Sequence, residues 1–148
     1  MLTPDQLSAR TTLPFIIFTD LDGTLLDHYD YSHQAALPAL RALAARGIPW
    51  ILNTSKTLAE LKALAKKLNN PHPIIFENGA GVAFPPGYPT PNTKDVTKIN
   101  NWQIKSFARP REEVLTALQQ TADTYRFRSF TQMSVAEIVD YTGLDYAA

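Results

Sequence analysis

The chain has 148 residues, its 14 basic and 14 acidic side chains balance, and it contains no cysteine. Balanced charge provides no overall field to attract nucleic acid or an anionic membrane. The lack of cysteine excludes disulfides, thiolate metal sites and a cysteine nucleophile. No apolar stretch approaches membrane-spanning length, and residues 1–14 lack the pattern of a secretory signal. We therefore expect a cytoplasmic protein that binds neither nucleic acid nor membrane, with residues 1–14 as a polar leader.

An apolar strand is predicted at residues 15–19 and leads directly into Asp-Leu-Asp-Gly-Thr at 20–24. In an extended chain, side chains two positions apart point the same way, so Asp20 and Asp22 can face one ligand. Gly23 permits a sharp turn directly after them. Clustered carboxylates favour a hard cation such as Mg²⁺, commonly beside a phosphate ester. The segment therefore predicts a metal and phosphate site at a strand end, where α/β folds place their chemistry.

Three alternative structures compete for this segment. A calcium-binding loop needs an acid or amide, a glycine and a glutamate at its fifth, sixth and twelfth positions, where the chain has Thr24, Leu25 and Tyr31. An Asp-Gly hairpin needs alternating strands on both sides, whereas the sequence turns polar after two leucines. The calcium loop is excluded, while the hairpin and a pair of solvated surface acids stay open.

The residues up to 76 alternate between strand and helix patterns, which indicates a parallel sheet with helices on its faces. We expect, in chain order, a helix over 32–46 ended by Gly47, a strand over 48–53, a helix opened by a capping box between Thr57 and Glu60, and a strand over 73–76.

A segment rich in proline and glycine at 85–92 then breaks the pattern and predicts a linker or domain crossing. Beyond it we expect a strand over 102–107 and a last helix from Ser134 to Gly143 that Glu137 caps. Between these, a helix over 110–125 should turn five side chains inward: Val114, Leu115, Leu118, Ala122 and Tyr125. The expected domains are the leader at 1–14, a core at 15–85 and a partial cap at 86–148.

Several segments carry a resemblance to a known family. Asp-Leu-Asp-Gly-Thr after an apolar strand resembles motif I of the haloacid dehalogenase (HAD) superfamily. A closer similarity, to the mannosyl-3-phosphoglycerate phosphatases, comes from Thr-Ser-Lys-Thr at 54–57, Phe-Glu-Asn-Gly-Ala at 76–80, Met-Ser-Val-Ala-Glu at 133–137 and Thr-Gly-Leu at 142–144. The resemblance implies an α/β fold: a HAD-like (Rossmannoid) parallel three-layer core, with the start of an α+β cap domain inserted after strand three.

The resemblance also implies a mechanism. Asp20 would be the nucleophile that forms an aspartyl-phosphate, and Asp22 would protonate the leaving oxygen and then activate water. Mg²⁺ would bridge Asp20, the main-chain carbonyl of Asp22 and the phosphoryl group, so the expected metal residues are Asp20 and Asp22. Thr54 matches motif II, where a hydroxyl holds a phosphoryl oxygen. Its alternative role is that of a turn residue leading into a helix.

The roles of other polar residues are left open by the sequence. Lys56 would bind a phosphate or carboxylate of the substrate, or would simply be solvated. Glu77 and Asn78 follow the third predicted strand, and they would contact substrate or shape the crossing into the cap. A cationic partner for a phosphoglycerate carboxylate is expected among the cap arginines, without a choice between them: Arg109, Arg111, Arg126 and Arg128.

The family carries two further motifs after its cap, a lysine (motif III) and a Gly-Asp segment (motif IV), and neither is found after Phe107. In the family's sheet the strand at 15–19 is central and lies beside a fourth strand, which is not found in this sequence either. We therefore expect it to present an open apolar edge. We expect self-association, or complementation by a C-terminal half. The expected function is Mg²⁺-dependent hydrolysis of a phosphorylated sugar-glycerate, a small-molecule substrate. The alternatives are a noncatalytic fragment that binds a phosphate ligand or a partner, and a general sugar-phosphate phosphatase.

Overall fold

The computed structural model describes residues 15–89 and 93–143. The leader expected at 1–14 and the end of the Thr-Gly-Leu segment at Leu144 lie outside the described residues. The chain divides into two compact units, the first ending at Phe107 and the second beginning at Ala108. No helix among the described residues is long and apolar enough to cross a membrane.

The first unit begins with the alternation of strands and helices that the sequence predicts. Its elements up to residue 76 are β1 (Ile17–Thr19), α1 (Leu37–Ala45), β2 (Trp50–Asn53), α2 (Leu58–Lys67) and β3 (Ile74–Phe76). The three strands are parallel, with Ile17 opposite Trp50 and Leu52 opposite Ile74. An α/β fold with a parallel sheet at its start is thus confirmed.

Three antiparallel strands extend the same sheet. They are β4 (Gly81–Phe84), β5 (Val96–Ile99) and β6 (Trp102–Ser106), and the strand order is β1-β2-β3-β4-β6-β5. The sequence predicted β6 but neither β4 nor β5, which are short and lie on either side of the proline-rich segment. The expected boundary after residue 85 falls between two strands of this sheet, whereas the compact units divide after Phe107. The division into core and cap stays a prediction.

The two helices begin where local chemistry permits. The predicted capping box opens α2, because the Thr57 N–H donates to Glu60 Oε2 (2.9 Å) and the Glu60 N–H donates to Thr57 Oγ1 (3.4 Å). Helix α1 begins later than the expected start at residue 32, after a 3₁₀ turn over Gln34–Ala36. Pro38 lies in its first turn, where the missing N–H has no intrahelical partner to lose.

Most of the buried side chains of the sheet lie on one face, while the buried Ile51 lies on the other face of β2. Leu52 and Ile74 are fully buried on the first of these faces and cluster with Leu40 of α1 and Leu61 of α2. Each fully buried aliphatic side chain contributes about 1.5–3 kcal/mol to stability. Both helices connect adjacent parallel strands in the same direction, so right-handed crossovers put them on this same face.

One edge of the described sheet is β1, which pairs only with β2 in that part of the chain. Its apolar side chains are largely in solvent, with Ile16 56% exposed and Phe18 61% exposed. The alternation along the strand puts both on the face opposite the buried cluster. The first strand therefore presents an unpaired backbone edge and apolar side chains together.

The described residues of the second unit include two α-helices, α3 (Arg111–Gln119) and α4 (Val135–Thr142). The predicted capping box of Ser134 and Glu137 opens α4, and Gly143 ends it at φ 68°. The prediction for 110–125 was wrong in length, since α3 ends at Gln119. The hydroxyl of Thr121 donates to the Leu118 carbonyl (2.7 Å), a side-chain bond that competes with continuation of the helix.

The expected inward face of that helix is also wrong. Val114, Leu118 and Tyr125 are 46%, 39% and 65% exposed. None of the residues of α3 is buried. Two short helices enclose little interior, so an apolar pattern alone does not guarantee burial in a unit of this size.

Candidate functional site

The two carboxylates after β1 lie on a loop anchored by the side chain between them. Leu21 is fully buried, and its carbonyl accepts hydrogen bonds from the N–H groups of Thr24 (3.1 Å) and Leu26 (2.8 Å). Asp20 and Asp22, on either side of Leu21, are exposed. Gly23 has φ 69°, the left-handed conformation that glycine adopts without a steric penalty. The loop therefore holds both carboxylates at the surface on a rigid base.

A cleft of about 400 Å³ lies at the carboxyl ends of the first three strands. It is lined by Asp20, Asn53, Thr54, Ser55 and Asn78. Parallel strands end at the same edge of a sheet, which is why residues far apart in the chain meet here. Of the residues singled out from the sequence, the cleft brings together Asp20, Thr54 and Asn78. Its lining does not include Asp22, Lys56 or Glu77.

Thr54 is the buried polar residue of this cleft, with 4% of its surface exposed. Its N–H donates to the Ile75 carbonyl (3.3 Å), which extends the pairing of β2 with β3. Its Oγ1 accepts from the Lys56 N–H (3.3 Å), and a hydroxyl that accepts one bond retains a proton to donate. The geometry suits a donor to an anionic oxygen, as motif II requires.

Lys56 points to the other carboxylate. Its Nζ lies 3.1 Å from Asp22 Oδ1, and the two side chains are 24% and 42% exposed. The same ammonium lies 5.5 Å from the centre of the Tyr31 ring, within the range of a cation–π contact. The Lys56 side chain is thus held between an acid and an aromatic ring, and both roles left open for it by the sequence stay predictions.

The residues after β3 form a turn that is bonded to the loop after β2. The Glu77 N–H donates to the Lys56 carbonyl (3.0 Å), and the Asn78 N–H donates to the Thr54 carbonyl (3.0 Å). Glu77, Asn78 and Gly79 all have positive φ, at 50°, 54° and 90°. Asn78 lines the cleft, while Glu77 is exposed outside its lining.

Two lining residues were missed at the level of sequence, Asn53 and Ser55. Asn53 ends β2 directly after Leu52, which pairs with Thr19, and Asp20 directly follows Thr19. A polar residue at the end of an apolar strand was the available signal for Asn53. Ser55 is an exposed residue beside Thr54 and has no distinguishing pattern of its own.

The oxygen donors near Asp20 fit a hard cation. Among the described residues there is no group of three or more His, Cys, Asp or Glu side chains arranged to hold a metal ion. Lys56 pairs with the Asp22 carboxylate. That Asp20 and Asp22 hold the metal, through the Asp20 carboxylate and the Asp22 main-chain carbonyl, stays a prediction. Mg²⁺ commonly takes one or two carboxylates and completes its shell with water and substrate phosphate.

Two arginines of the second unit are engaged in ion pairs. Arg109 lies 3.4 Å from Glu113, and Arg128 lies 2.9 Å from Glu137. The hydrogen bond from the Ser134 N–H, followed by that from Arg128, lowers the pKa of Glu137 to about 2. Both arginines therefore have local partners within the second unit, at the beginning of α3 and α4.

Comparison with models of known protein families shows which family the chain belongs to. A family model described as haloacid dehalogenase-like hydrolase matches residues 17–137, from β1 into α4. The chain belongs to the haloacid dehalogenase-like hydrolases. The motif I resemblance of residues 20–24 is thereby confirmed, and the HAD-like fold with it.

Two curated relatives carry the same name, glucosyl-3-phosphoglycerate/mannosyl-3-phosphoglycerate phosphatase. The protein from Persephonella marina is 40% identical over 131 residues, and that from Methanococcoides burtonii is 39% identical over 132 residues. Each alignment covers 88% of this chain and 48% of the relative. This HAD chain thus spans about half the length of the curated relatives it matches.

Solved structures show the same fold. A HAD superfamily phosphatase from Bacteroides thetaiotaomicron matches with a TM-score of 0.59 and 16% identity, covering 96% of this chain and 50% of its own. A hypothetical protein from Geobacillus kaustophilus matches with a TM-score of 0.51 and 22% identity, covering 73% of this chain and 36% of its own. At these identities the likeness concerns the fold alone.

Proposed function

We propose that this chain carries the nucleophile site of a phosphatase that hydrolyses a phosphorylated sugar-glycerate through an aspartyl-phosphate. The observation that carries the proposal is the cleft in which Asp20 meets Thr54 and Asn78 at the ends of three adjacent strands. The family assignment and the names of the two curated relatives support it. A carboxylate beside several neutral hydrogen-bond donors suits attack on the phosphorus of a monoester.

In this proposal, Asp20 attacks phosphorus and Asp22 delivers a proton to the departing alkoxide. Asp22 then takes a proton from the water that cleaves the aspartyl-phosphate. Thr54 and Asn78 hold oxygens of the phosphoryl group from the opposite side of the cleft. Lys56 keeps the Asp22 carboxylate at the mouth of the site through the 3.1 Å ion pair. Glu77 remains a candidate for contact with the sugar or glycerate part.

A divalent cation, which we propose to be Mg²⁺, would be held by the Asp20 carboxylate and the Asp22 main-chain carbonyl. When bound, it would neutralise charge on the phosphoryl group, so that an anionic nucleophile can approach an anionic ester. The donors are all oxygen, which suits Mg²⁺ better than a softer metal. We also propose that the protein acts in the cytoplasm on a small diffusible substrate.

A second candidate is a noncatalytic module that binds a phosphate ligand or a partner. It is favoured by the exposed edge of β1, where Ile16 and Phe18 are more than half exposed. The curated relatives are about twice as long, and in them further chain is available to cover such an edge. We propose that this edge pairs with a C-terminal half of the protein, or with a second copy of the chain when that half is absent.

The proposed function is tested by assaying the full product of the gene on a panel of phosphate esters with Mg²⁺. The panel contains mannosyl- and glucosyl-3-phosphoglycerate, other sugar phosphates and p-nitrophenyl phosphate. We expect the highest kcat/KM for a sugar-glycerate ester. A broad preference for sugar phosphates would favour a general phosphatase, while release of no phosphate from any ester would favour the binding module.

A further inference from the structure

The turn after β3 has a backbone conformation that L-amino acids rarely adopt in succession. Glu77, Asn78 and Gly79 have φ of 50°, 54° and 90°, and the Ala80 N–H closes the turn on the Glu77 carbonyl (3.1 Å). Left-handed residues normally occur singly, because Cβ approaches the following carbonyl oxygen. Glycine bears no such penalty, and asparagine bears less of it than glutamate does.

A hairpin connection alone does not require these side chains. The turn joins β3 to the antiparallel β4, with Phe76 opposite Gly81. Asn78-Gly79 is a pair that tolerates left-handed backbone, whereas glycine at residue 77 would make the same connection with less strain. The chain instead has glutamate at the first of its successive left-handed positions.

The turn is joined to the cleft at two points. Its first two N–H groups bond the carbonyls of Lys56 and Thr54, which fixes the loop that carries Thr54. Its second residue, Asn78, lines the cleft together with Asp20. The strained backbone therefore lies where it determines the position of one polar side chain and of the loop opposite the nucleophile. Such outliers are concentrated at binding and catalytic sites in proteins generally.

We infer that Glu77–Gly79 is a strained positioning turn that holds the Asn78 carboxamide in the Asp20 cleft to bind the phosphoryl group. This inference rests on the function proposed above. The carboxamide N–H donates to a phosphoryl oxygen. The left-handed backbone that presents this carboxamide lowers the stability of the folded protein.

The test combines thermal unfolding with binding of inorganic phosphate in Mg²⁺, both measured by calorimetry on the full product of the gene. We expect Glu77→Gly to raise the Tm by about 2–4 °C, because it removes the most strained left-handed side chain. Asn78→Gly keeps or raises the Tm and weakens phosphate binding by at least about tenfold, as expected for the loss of a hydrogen bond to a charged group. Asn78→Asp, which tolerates the same backbone, also weakens binding.

Asn69→Gly is the matched control. Asn69 is another left-handed asparagine, with φ 50°, and it lies at the end of α2 outside the cleft lining. We expect no change in phosphate affinity. If the turn has no binding role, Asn78→Gly should instead bind phosphate as tightly as the unaltered protein does. This result would overturn the inference.

The two measurements separate the possible failures. If neither glycine variant at 77 or 78 raises the Tm, the turn is unstrained and the inference is wrong, whatever the affinity for phosphate. If the unaltered full product of the gene binds no phosphate and hydrolyses no ester, the proposed function fails, and the role assigned to Asn78 fails with it. A rise in Tm at Glu77 would then show strain without the binding role.

Discussion

Lys56 Nζ lies 3.1 Å from Asp22 Oδ1, so the loop after β2 is tied by charge to the loop after β1. The ammonium also contacts the Tyr31 ring, and the Lys56 carbonyl accepts a bond from Glu77. An exposed ion pair contributes only about 0–1 kcal/mol to stability, so we propose that this pair acts through the position it gives to Asp22. A proton donor acts only from within hydrogen-bond reach of the leaving oxygen.

We therefore predict that Lys56→Gln lowers kcat/KM for an alkyl phosphate at least about tenfold more than for p-nitrophenyl phosphate. Nitrophenolate is a good leaving group that departs with little help from an acid, whereas an alkoxide needs the proton from Asp22. Steady-state kinetics on both esters measures the ratio. Lys56→Arg should recover part of the loss, because it keeps a cation beside Asp22.

Lys62→Gln is the control for that experiment, because Lys62 is also a lysine above an aromatic ring, 5.7 Å from the centre of Trp102. It should leave both esters unaffected. An equal loss on the two esters in Lys56→Gln would mean that Lys56 binds the phosphoryl group directly, as one sequence hypothesis proposed.

Replacement of the nucleophile should abolish turnover. Asp20→Asn keeps the size of the side chain but removes the charge that we propose attacks phosphorus, and Asp20 is the only carboxylate in the described lining of the cleft. We expect loss of measurable phosphatase activity with unchanged circular dichroism and Tm. Asp95→Asn, at an exposed position near β5, makes the same chemical change as a control. Activity of Asp20→Asn within tenfold of the unaltered enzyme would remove Asp20 from its proposed role.

The metal requirement gives a further prediction. We expect activity with Mg²⁺, none in excess chelator, and inhibition by Ca²⁺. Ca²⁺ accepts more oxygens than Mg²⁺ and can take both oxygens of the Asp20 carboxylate, which leaves none to attack. Initial rates in each ion, with calorimetric titration of the same ions into Asp20→Asn, test the point. Undiminished turnover in chelator would refute the metal requirement.

The capping box of α4 should respond to acid. Hydrogen bonds from Ser134 and Arg128 lower the pKa of Glu137 to about 2, against 4.5 for the free side chain. A lowered carboxyl pKa contributes stability that is fully present above pH 4.5 and is lost as the pH falls through about 2. We expect faster amide exchange in α4 over this range. The effect should weaken in high salt, because the site is exposed.

Two variants isolate that contribution. Glu137→Gln should show weaker protection of α4 at neutral pH and little further change between pH 4.5 and 2. Glu112→Gln, in the first turn of α3, should retain the pH dependence of α4. An identical pH response in the two variants would assign the effect to another group.

The sequence predicted those parts of the fold that local chemistry determines. The capping boxes of Thr57 and Ser134 were identified correctly, because a hydroxyl and a carboxylate three residues apart specify a helix start by themselves. The end of α3 was missed because it depends on a side-chain bond from Thr121. Short strands such as β5 carry few residues with a clear period and are stabilised by pairing with distant segments.

In the candidate site, too, some features could be predicted from the sequence and others could not. Asp20 and Thr54 were predicted because each follows an apolar strand directly, and parallel strand ends meet at one edge. The pairing of Lys56 with Asp22 could not be predicted, since it depends on how two loops approach each other. The left-handed turn at Glu77 could not be predicted either, because glutamate is an unusual residue for that conformation.

The exposed edge of β1 gives the last prediction, which concerns the 148-residue chain by itself. Ile16 and Phe18 are 56% and 61% exposed beside an unpaired strand edge in the described sheet, an arrangement that favours pairing with another chain. We expect this chain to self-associate, to bind metal weakly and to hydrolyse esters near background, since it spans 48% of its relatives.

Sedimentation velocity over a concentration series measures the association, and Phe18→Lys should shift the chain toward monomer by placing a charge on the edge. Tyr141→Lys, at a 71% exposed aromatic on α4 and away from any strand, should not. Adding the C-terminal half of a longer gene product should compete with self-association if it pairs with the same edge. A chain that stays monomeric at every concentration and turns over ester with Mg²⁺ would show that β1 needs no partner.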